Sequence, residues 1–317
     1  MRILITGATG FVGSHLSGFL SKNTSAEIYG LDLADKTDLP LQLISCDLMD
    51  KDAVSDCISE IKPDYVFHLA AIASVADAWK NPERVLTNNA ICQLNILQAI
   101  AKNNLKPRVL IVSTGEVYGV VDKNDLPINE KTKLKPNNPY SVSKVTQEFL
   151  GLQYFESYGV PVIIARAFNH SGPAQRGDFV IPSFTNQIIK IEQGLKEPVV
   201  YVGNLEAARD FLDVRDVVKA YWLLLKEGEP GEVYNVCSGK TVKIKKVLDT
   251  LLANSSKAIE VRQDESRMRP SDTPVVVGDN MKLREATGWK SEIDLEQTLI
   301  DTLEYLRAPT RQSPGSL

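Results

Sequence analysis

The chain has 317 residues, of which 43% are hydrophobic and 24% are charged, and its formal net charge at pH 7 is −4. This composition predicts a globular cytoplasmic protein with a substantial core. The negative charge gives no electrostatic basis for binding nucleic acid or an anionic membrane, and no apolar run approaches the length of a bilayer span. The four cysteines lack CxxC spacing and the three histidines are scattered, which predicts reduced thiols and no metal site.

The chain begins with an apolar run at residues 3–5, which predicts a buried strand that leads into a glycine-rich turn. Glycines in such a turn allow a sharp bend, the close approach of a ligand and tight packing of a helix on the strand. The helix that follows, predicted to end near residue 22, offers free amides to a pyrophosphate. The predicted cofactor-binding residues of the turn are Gly7, Gly10, Phe11, Val12 and Gly13.

A second strand is predicted at residues 27–32, and it ends in Asp32. A carboxylate at this point accepts hydrogen bonds from an adenosine ribose diol and repels a 2′-phosphate. Leu33 follows, and no basic residue comes before Lys36. The sequence therefore favours NAD(H) as the cofactor, with NADP(H) as the alternative.

The alternation of strands and helices continues to about residue 168. Further strands are predicted at residues 41–45, 65–69, 109–112 and 162–164, and helices at residues 50–61, 86–102 and 140–158. Repeated βαβ units predict an α/β fold, a Rossmann-type doubly wound parallel sheet that binds its ligand at the carboxyl ends of the strands. At these ends we expect further cofactor contacts from Asp47, Leu48, Leu69, Ala70, Ala71 and Asn89.

The composition changes after residue 168, where Gly, Pro, Asn and Arg become more frequent and the apolar runs shorter. Helices are predicted at residues 181–194, 213–225 (capped by Asp213), 243–253, 281–287 and 295–306. We predict a NAD-binding domain at residues 1–168, to which some later segments return. A smaller C-terminal substrate-binding region is expected at residues 169–307, and a flexible tail at residues 308–317.

Tyr140 and Lys144 stand four residues apart on a predicted helix and therefore share one face. An ammonium close to the phenol is expected to lower the pKa of Tyr140. The phenol could then give a proton to a carbonyl oxygen or take one from a hydroxyl. Thr114 and Glu116 follow the strand predicted at residues 109–112 and can converge with this pair. These four residues are the predicted catalytic residues, and Tyr140 and Lys144 are also predicted to contact the cofactor.

The glycine-rich turn, Asp32, the small residues after the 65–69 strand, the Thr114 segment and the YxxxK spacing together resemble one family. They are similar to extended short-chain dehydrogenases/reductases of the nucleotide-sugar epimerase/dehydratase kind, over roughly residues 1–307. The resemblance implies that Tyr140 is the acid/base at a sugar oxygen, that Lys144 binds the nicotinamide ribose, and that Thr114 bonds the same sugar oxygen. It also implies a homodimer whose helices from about residues 86 and 140 form a four-helix bundle.

Segments 166–173, 203–216 and 269–272 are similar to the GDP-mannose branch of this family, which implies a GDP-deoxyhexose substrate. Arg209 and Arg269 suit a diphosphate, because a guanidinium can bind phosphate oxygens in a bidentate manner. Asn169 can add a neutral hydrogen bond. The remaining predicted substrate contacts are Thr114, Val180 and Asp272.

The reaction implied by this resemblance is reduction of the C4 keto group of GDP-4-keto-6-deoxy-D-mannose to GDP-D-rhamnose. A 4,6-dehydratase also needs an acid for the departing hydroxyl. Related dehydratases carry Asp or Ser before the Glu, whereas this chain has Gly115. In a dehydratase Glu116 would be the base, and in a reductase it would be a polar contact. Asp32 suits a recycled NAD, which keeps a dehydratase or a C4 epimerase as the alternative. A non-catalytic sensor is disfavoured because the catalytic residues are intact.

Overall fold

The computed structural model describes residues 1–268 and 273–308. The strands are β1 (Arg2–Thr6), β2 (Glu27–Asp32), β3 (Gln42–Ser45), β4 (Tyr65–His68), β5 (Arg108–Thr114), β6 (Val162–Ala167), β7 (Asn169–Ser171), β8 (Val199–Val202), β9 (Ala208–Arg209), β10 (Phe211–Asp213), β11 (Val233–Val236), β12 (Val242–Lys243) and β13 (Glu260–Gln263). The helices are α1 (Phe11–Asn23), α2 (Lys51–Ile61), α3 (Val75–Lys80), α4 (Pro82–Lys102), α5 (Pro139–Tyr158), α6 (Val180–Glu192), α7 (Val214–Glu227), α8 (Ile244–Ala253), α9 (Met281–Thr287) and α10 (Leu295–Arg307).

Seven of these strands form one parallel sheet in the order β11-β6-β5-β4-β1-β2-β3. The sequence runs outward from β1 in both directions, which is the doubly wound order, and the predicted Rossmann-type α/β fold is confirmed. One face of the sheet packs on α1 and α7 and the other on α2, α4 and α5, each through a separate apolar cluster. The carboxyl ends of β1, β2, β4 and β5 therefore meet at one edge, between the two helical layers.

The chain after β6 contributes both to the main sheet and to a second layer, which is built from helices α6, α8 and α10. Helix α7 and strand β11 return to the sheet, where β11 pairs with β6. Helices α6, α8 and α10 enclose a separate apolar cluster with β8. Three two-stranded sheets among the described residues pair β7 with β10, β9 with β12, and β8 with β13. The domain boundary at residue 168 stays a prediction.

Most predicted helices are present within a few residues of their expected ends. Helix α4 begins at Pro82 rather than near residue 86, because a proline can open a helix, where the first amide needs no partner. Helix α3 was not predicted, and it is a six-residue helix capped by the Ser74 hydroxyl. Asp213 caps α7 as expected, accepting from the amide of Arg215 at 2.8 Å. Of the predicted tail, residues 309–317 lie outside the described part of the chain.

The described residues contain neither a membrane-spanning helix nor a cluster of metal ligands. No helix among them is long and apolar enough to cross a membrane. Within the same residues, no group of three or more His, Cys, Asp or Glu side chains could hold a metal ion. All four cysteines are free thiols, and Cys46, Cys92 and Cys237 are buried.

Candidate active site

The glycine-rich turn joins β1 to the first turn of α1. Gly7 has a positive φ of 68°, and a Cβ there would lie 2.9 Å from the amide nitrogen of Ala70. A Cβ at Gly13 would lie 2.3 Å from the carbonyl oxygen of Gly7, so helix and turn are in direct backbone contact. The cap residue Gly10 provides no side-chain hydrogen bond, which leaves the first amides of α1 available to an anion. These features fit the pyrophosphate of a dinucleotide, and Phe11 and Val12 lie in that first turn.

Asp32 lies at the carboxyl end of β2, beside the same turn. Its two carboxylate oxygens accept from the backbone amides of Thr9 at 2.9 Å and Leu33 at 2.8 Å. These bonds fix the carboxylate at the position where the sequence predicts contact with a ribose diol. Each oxygen keeps a second lone pair for a ligand hydroxyl.

Other predicted cofactor residues line the ends of β3 and β4. Asp47 is exposed, Leu48 is buried, and Leu69, Ala70 and Ala71 are partly buried. The amide of Ala70 donates to Thr6 Oγ1 at 3.2 Å, and Thr6 Oγ1 also lies 2.9 Å from His68 Nδ1. The bond from Ala70 holds the small residues after β4 against the glycine-rich turn.

Asn89 is buried on α4, and its amide is engaged by the protein itself. Its Oδ1 accepts from the backbone amide of Ile72 and the side-chain amide of Asn88, while its Nδ2 donates to the Ile72 carbonyl and to Ser143 Oγ. These four bonds use the full hydrogen-bonding capacity of the side chain. Asn89 therefore holds the loop after β4 against α5, and its contact with the cofactor stays a prediction.

The structure brings Thr114, Tyr140 and Lys144 together between β5 and α5. Asn138 begins α5 through a reciprocal capping box with Ser141, followed by a proline at the first helical position. Lys144 Nζ donates to the carbonyl oxygen at residue 112 at 2.9 Å and lies 5.9 Å from the centre of the Tyr140 ring. Thr114 lies close enough to Tyr140 for its side chain to lower the pKa of the phenol. A phenol, a hydroxyl and an ammonium therefore converge as the YxxxK spacing predicts.

The direction of the Tyr140 pKa is opposite to the prediction. Burial raises the pKa of Tyr140, the nearby Glu116 carboxylate raises it further, and the Thr114 side chain lowers it only in part. Lys144 is itself buried, and burial lowers its pKa to about 8. The sequence showed the spacing of the pair, but it could not show how deeply both groups are desolvated.

Glu116 lies in the short 3-10 turn Gly115–Tyr118 that follows β5. Its side chain is exposed, and its Oε2 accepts from Asn138 Nδ2 at 3.2 Å. A Cβ on the preceding Gly115 would lie 3.2 Å from three ring atoms of Phe168, which is itself buried. The aromatic ring therefore borders the space into which a side chain at position 115 would point, and it would have to move by a few tenths of an ångström to admit one.

The predicted substrate residues border the same edge from the second layer. Asn169 is exposed at the start of β7, and its Nδ2 donates to the Asp210 carbonyl at 3.4 Å. Arg209 Nη1 donates to the carbonyls of Ala208 at 2.9 Å and Thr273 at 2.6 Å. Val180 is the first residue of α6, which has no side-chain cap. Arg269 and Asp272 lie outside the described residues.

Two residues that shape this site were not singled out from the sequence. Asn138 connects the start of α5 to Glu116, and its position before a proline is a recognisable helix-start signal. Asp210 is fully buried, and its carboxylate accepts from the amides of Ser238, Gly239 and Gly278 at 2.8 to 3.2 Å and from Ser238 Oγ at 2.7 Å. It thereby holds two loops beside residue 209, and no local pattern in the sequence indicates this.

Comparisons with known proteins agree with this arrangement. A profile of the family described as GDP-mannose 4,6 dehydratase matches residues 4–302. The GDP-6-deoxy-D-mannose reductase of Pseudomonas aeruginosa is 39% identical over 302 residues, which cover 94% of this chain and 94% of that protein. A GDP-mannose 4,6-dehydratase of Vibrio cholerae is 30% identical, and the match covers 93% of this chain and 90% of that protein.

Solved structures with the same fold include two that contain a nicotinamide cofactor. RMD from Pseudomonas aeruginosa complexed with NADPH has a TM-score of 0.85 at 40% identity, covering 96% of this chain and 98% of that chain. The UDP-glucose 4-epimerase of Thermus thermophilus in complex with NAD has a TM-score of 0.86 at 28% identity, covering 98% of this chain and 100% of that chain.

Proposed function

The chain belongs to the GDP-mannose 4,6-dehydratase family of extended short-chain dehydrogenases/reductases, and from this premise we propose that it reduces the C4 keto group of GDP-4-keto-6-deoxy-D-mannose to give GDP-D-rhamnose. The reducing cofactor in this proposal is NADH or NADPH. The chain is 39% identical to GDP-6-deoxy-D-mannose reductase over almost its whole length, and 30% identical to a GDP-mannose 4,6-dehydratase. The higher identity supports the reductase activity over the dehydratase activity.

The observation that carries the proposal is the space around Gly115. Elimination of water across C5 and C6 needs a base and an acid on the same sugar. Glu116 could supply the base, but the residue before it has no side chain, and the ring of Phe168 lies 3.2 Å from where a Cβ would stand. The position that would carry the acid therefore has no donor, and the Phe168 ring would have to shift before a side chain could stand there. Reduction at C4 needs neither group.

Tyr140 can act as the acid of this reduction. Burial and Glu116 raise the pKa of its phenol, which therefore keeps its proton at neutral pH and can give it to the ketone oxygen.

Each residue of the site then has one task. The glycine-rich turn and Asp32 would hold a nicotinamide cofactor, which would supply the hydride to C4. Tyr140 donates its proton to the oxygen that was the ketone, and Thr114 donates a hydrogen bond to the same oxygen. The Lys144 ammonium stabilises the phenolate that remains. The uncapped first turns of α1 and α6 offer backbone amides to the diphosphates of the cofactor and the substrate.

For the cofactor, we propose that NADH is preferred. The Asp32 carboxylate is held by two backbone amides, and its charge opposes a 2′-phosphate. The NADPH complex of the Pseudomonas aeruginosa protein makes NADPH the alternative that the same assay must include.

The proposal is tested by two parallel reactions with the purified protein. In one, the protein receives GDP-4-keto-6-deoxy-D-mannose with NADH or NADPH. In the other, it receives GDP-mannose without added cofactor. We expect loss of nicotinamide absorbance and a new GDP-deoxyhexose in the first reaction only. A keto sugar formed from GDP-mannose would instead support the dehydratase, and a talo rather than rhamno product would change only the stereochemistry at C4.

We further propose that the protein is a homodimer through α4 and α5, which lie side by side on one face of the sheet. The outer face of α5 exposes 40% of Val142 and 61% of Phe149, beside partly buried Val145 and Leu150. Residues at this spacing form a continuous apolar stripe, which a second copy can cover. Phe149→Glu should yield a monomer by sedimentation. The control Leu195→Glu, at an equally exposed position outside α5 (69% exposed), should not.

A further inference from the structure

Glu148 and Arg166 form a buried ion pair on α5 and β6, next to the strand and the helix that carry Thr114 and Lys144. Arg166 Nε donates to Glu148 Oε1 at 2.9 Å and Arg166 Nη2 donates to Glu148 Oε2 at 2.7 Å. The two side chains are only 6% and 2% exposed. Ser113 Oγ donates to the same Glu148 Oε1 at 2.5 Å. Both carboxylate oxygens are thus bonded and the carboxylate has one fixed orientation.

Each partner of this pair belongs to an element that carries a catalytic group or contacts one. Ser113 precedes Thr114 on β5, and Glu148 lies one helical turn after Lys144 on α5. Arg166, on β6, also donates to the hydroxyl of Tyr118 at 2.9 Å, and Tyr118 ends the turn that contains residue 116. The pair therefore connects the strand, the helix and the turn that together form the site.

A buried ion pair gives little net stability compared with apolar residues of similar size. The position of the Glu148 carboxylate is more important here than the stability that the ion pair provides, because Lys144 is buried and needs a compensating charge. The titratable groups that interact with Lys144 are Tyr140 and Glu148 on α5 and His68 on β4. Arg166, on β6, is the charged partner of Glu148. Burial lowers the pKa of His68 to about 3, so His68 is neutral at working pH, and the carboxylate at residue 116 acts on Tyr140.

We propose that Glu148, oriented by Arg166 and Ser113, is a positioning residue that keeps Lys144 in its ammonium form. The inference rests on the proposed function, since it concerns the proton transfer assigned to Tyr140 and Lys144. Burial lowers the pKa of Lys144 to about 8, and the Glu148 carboxylate opposes this shift. Without that carboxylate, Lys144 would lose its compensating charge while the Arg166 cation was left unpaired, and Lys144 would lose its proton at lower pH.

The test compares wild type, Glu148→Gln and the double variant Glu148→Gln/Arg166→Gln. Two quantities are measured against pH: NADH affinity, from the fluorescence of bound NADH, and the rate of NADH oxidation with the keto sugar. In wild type both should fall as pH rises past about 8, where Lys144 deprotonates. In Glu148→Gln this fall should move down by about one to two pH units. The double variant should lie between the two, because it lacks both charges.

Tyr118→Phe is the matched control. It removes the hydrogen bond between the Tyr118 hydroxyl and Arg166 but leaves both charges in place. It should lower stability without moving the pH at which binding and rate fall. If Glu148→Gln does not fold, the double variant carries the test, since it leaves no lone charge buried.

The inference is overturned if all variants lose NADH binding at the same pH as wild type, or if Tyr118→Phe moves that pH as far as Glu148→Gln does. The binding measurement is independent of the sugar. A wild type that fails to oxidise NADH with the keto sugar would therefore contradict the proposed function, while the binding curves would still decide the role of Glu148.

Discussion

Substitution of Gly115 tests the geometric basis for reduction rather than dehydration. In Gly115→Ala, the new Cβ would stand 3.2 Å from three atoms of the Phe168 ring. Overpacking of this kind lowers the free energy of unfolding by about 1–3 kcal/mol. Replacing a glycine raises it by about 0.4–1 kcal/mol, because the unfolded chain then has less conformational entropy. The φ of Gly115 lies outside the left-handed region, so backbone strain adds nothing. We expect the free energy of unfolding to fall by about 0.5–2 kcal/mol.

The assay is urea unfolding of four proteins: wild type, Gly115→Ala, Phe168→Leu and the double variant. Since Leu is smaller than Phe at the contact, the double variant should be more stable than the sum of the single changes predicts. The expected coupling is about 1 kcal/mol, a typical value for residues in contact. A coupling near zero would mean that the ring does not limit position 115.

Gly115→Ser and Gly115→Asp extend the test from space to chemistry. The account predicts that both variants lose stability and that neither forms a keto sugar from GDP-mannose. A Ser or Asp variant that folds with wild-type stability and eliminates water would refute the reasoning. It would show that the site accepts an acid at this position and that Glu116 is a competent base.

Three further predictions concern the catalytic acid, the cofactor and the second layer. Tyr140→Phe should lower the rate of NADH oxidation about 10²–10⁴-fold, while NADH affinity by fluorescence titration stays close to wild type; a rate within a few-fold of wild type would contradict the role of the phenol. Asp32→Asn should shift the NADPH-to-NADH ratio of kcat/KM by about tenfold or more toward NADPH, because one unit charge near a phosphate is worth roughly 1–4 kcal/mol; an unchanged ratio would remove Asp32 from cofactor selection. Glu192→Gln should lower the free energy of unfolding by about 1–2 kcal/mol, since Glu192 accepts two bonds from Arg307 at 2.7 and 3.0 Å. Those bonds hold the pKa of Glu192 at about 2, below its usual 4.5. The difference in the free energy of unfolding between wild type and Glu192→Gln should therefore be full above pH 4.5 and shrink as pH falls toward 2. A difference that does not depend on pH would contradict the ion pair.

The sheet and its ligand edge could be predicted because their signals are local. The apolar runs, the glycine-rich turn after β1 and the Asp213 cap each depend on a few adjacent residues. Helix α3 was missed because its six residues have too little periodicity to stand out from a loop. The start of α4 was placed four residues late for a similar reason, since Pro82 alone marks it.

The site was harder to predict where its properties depend on tertiary burial. The YxxxK spacing placed Tyr140 beside Lys144, but the rise in the Tyr140 pKa comes from desolvation and from Glu116, which lies 24 positions earlier in the chain. The Glu148–Arg166 pair forms only because α5 packs against the neighbouring strands β5 and β6. The packing of the Phe168 ring over position 115 arises in the same way, from the ends of two paired strands.

Hydride transfer to C4 of the keto sugar can be followed directly with isotope-labelled cofactor. NADH carrying deuterium at both C4 hydrogens of the nicotinamide is incubated with the protein and GDP-4-keto-6-deoxy-D-mannose, and the sugar product is examined by mass spectrometry and proton NMR. The account predicts one deuterium in the product, located at C4 of a deoxyhexose with the rhamno configuration. A deoxyhexose product without deuterium at C4 would contradict the reduction, because its C4 hydrogen would not have come from the cofactor.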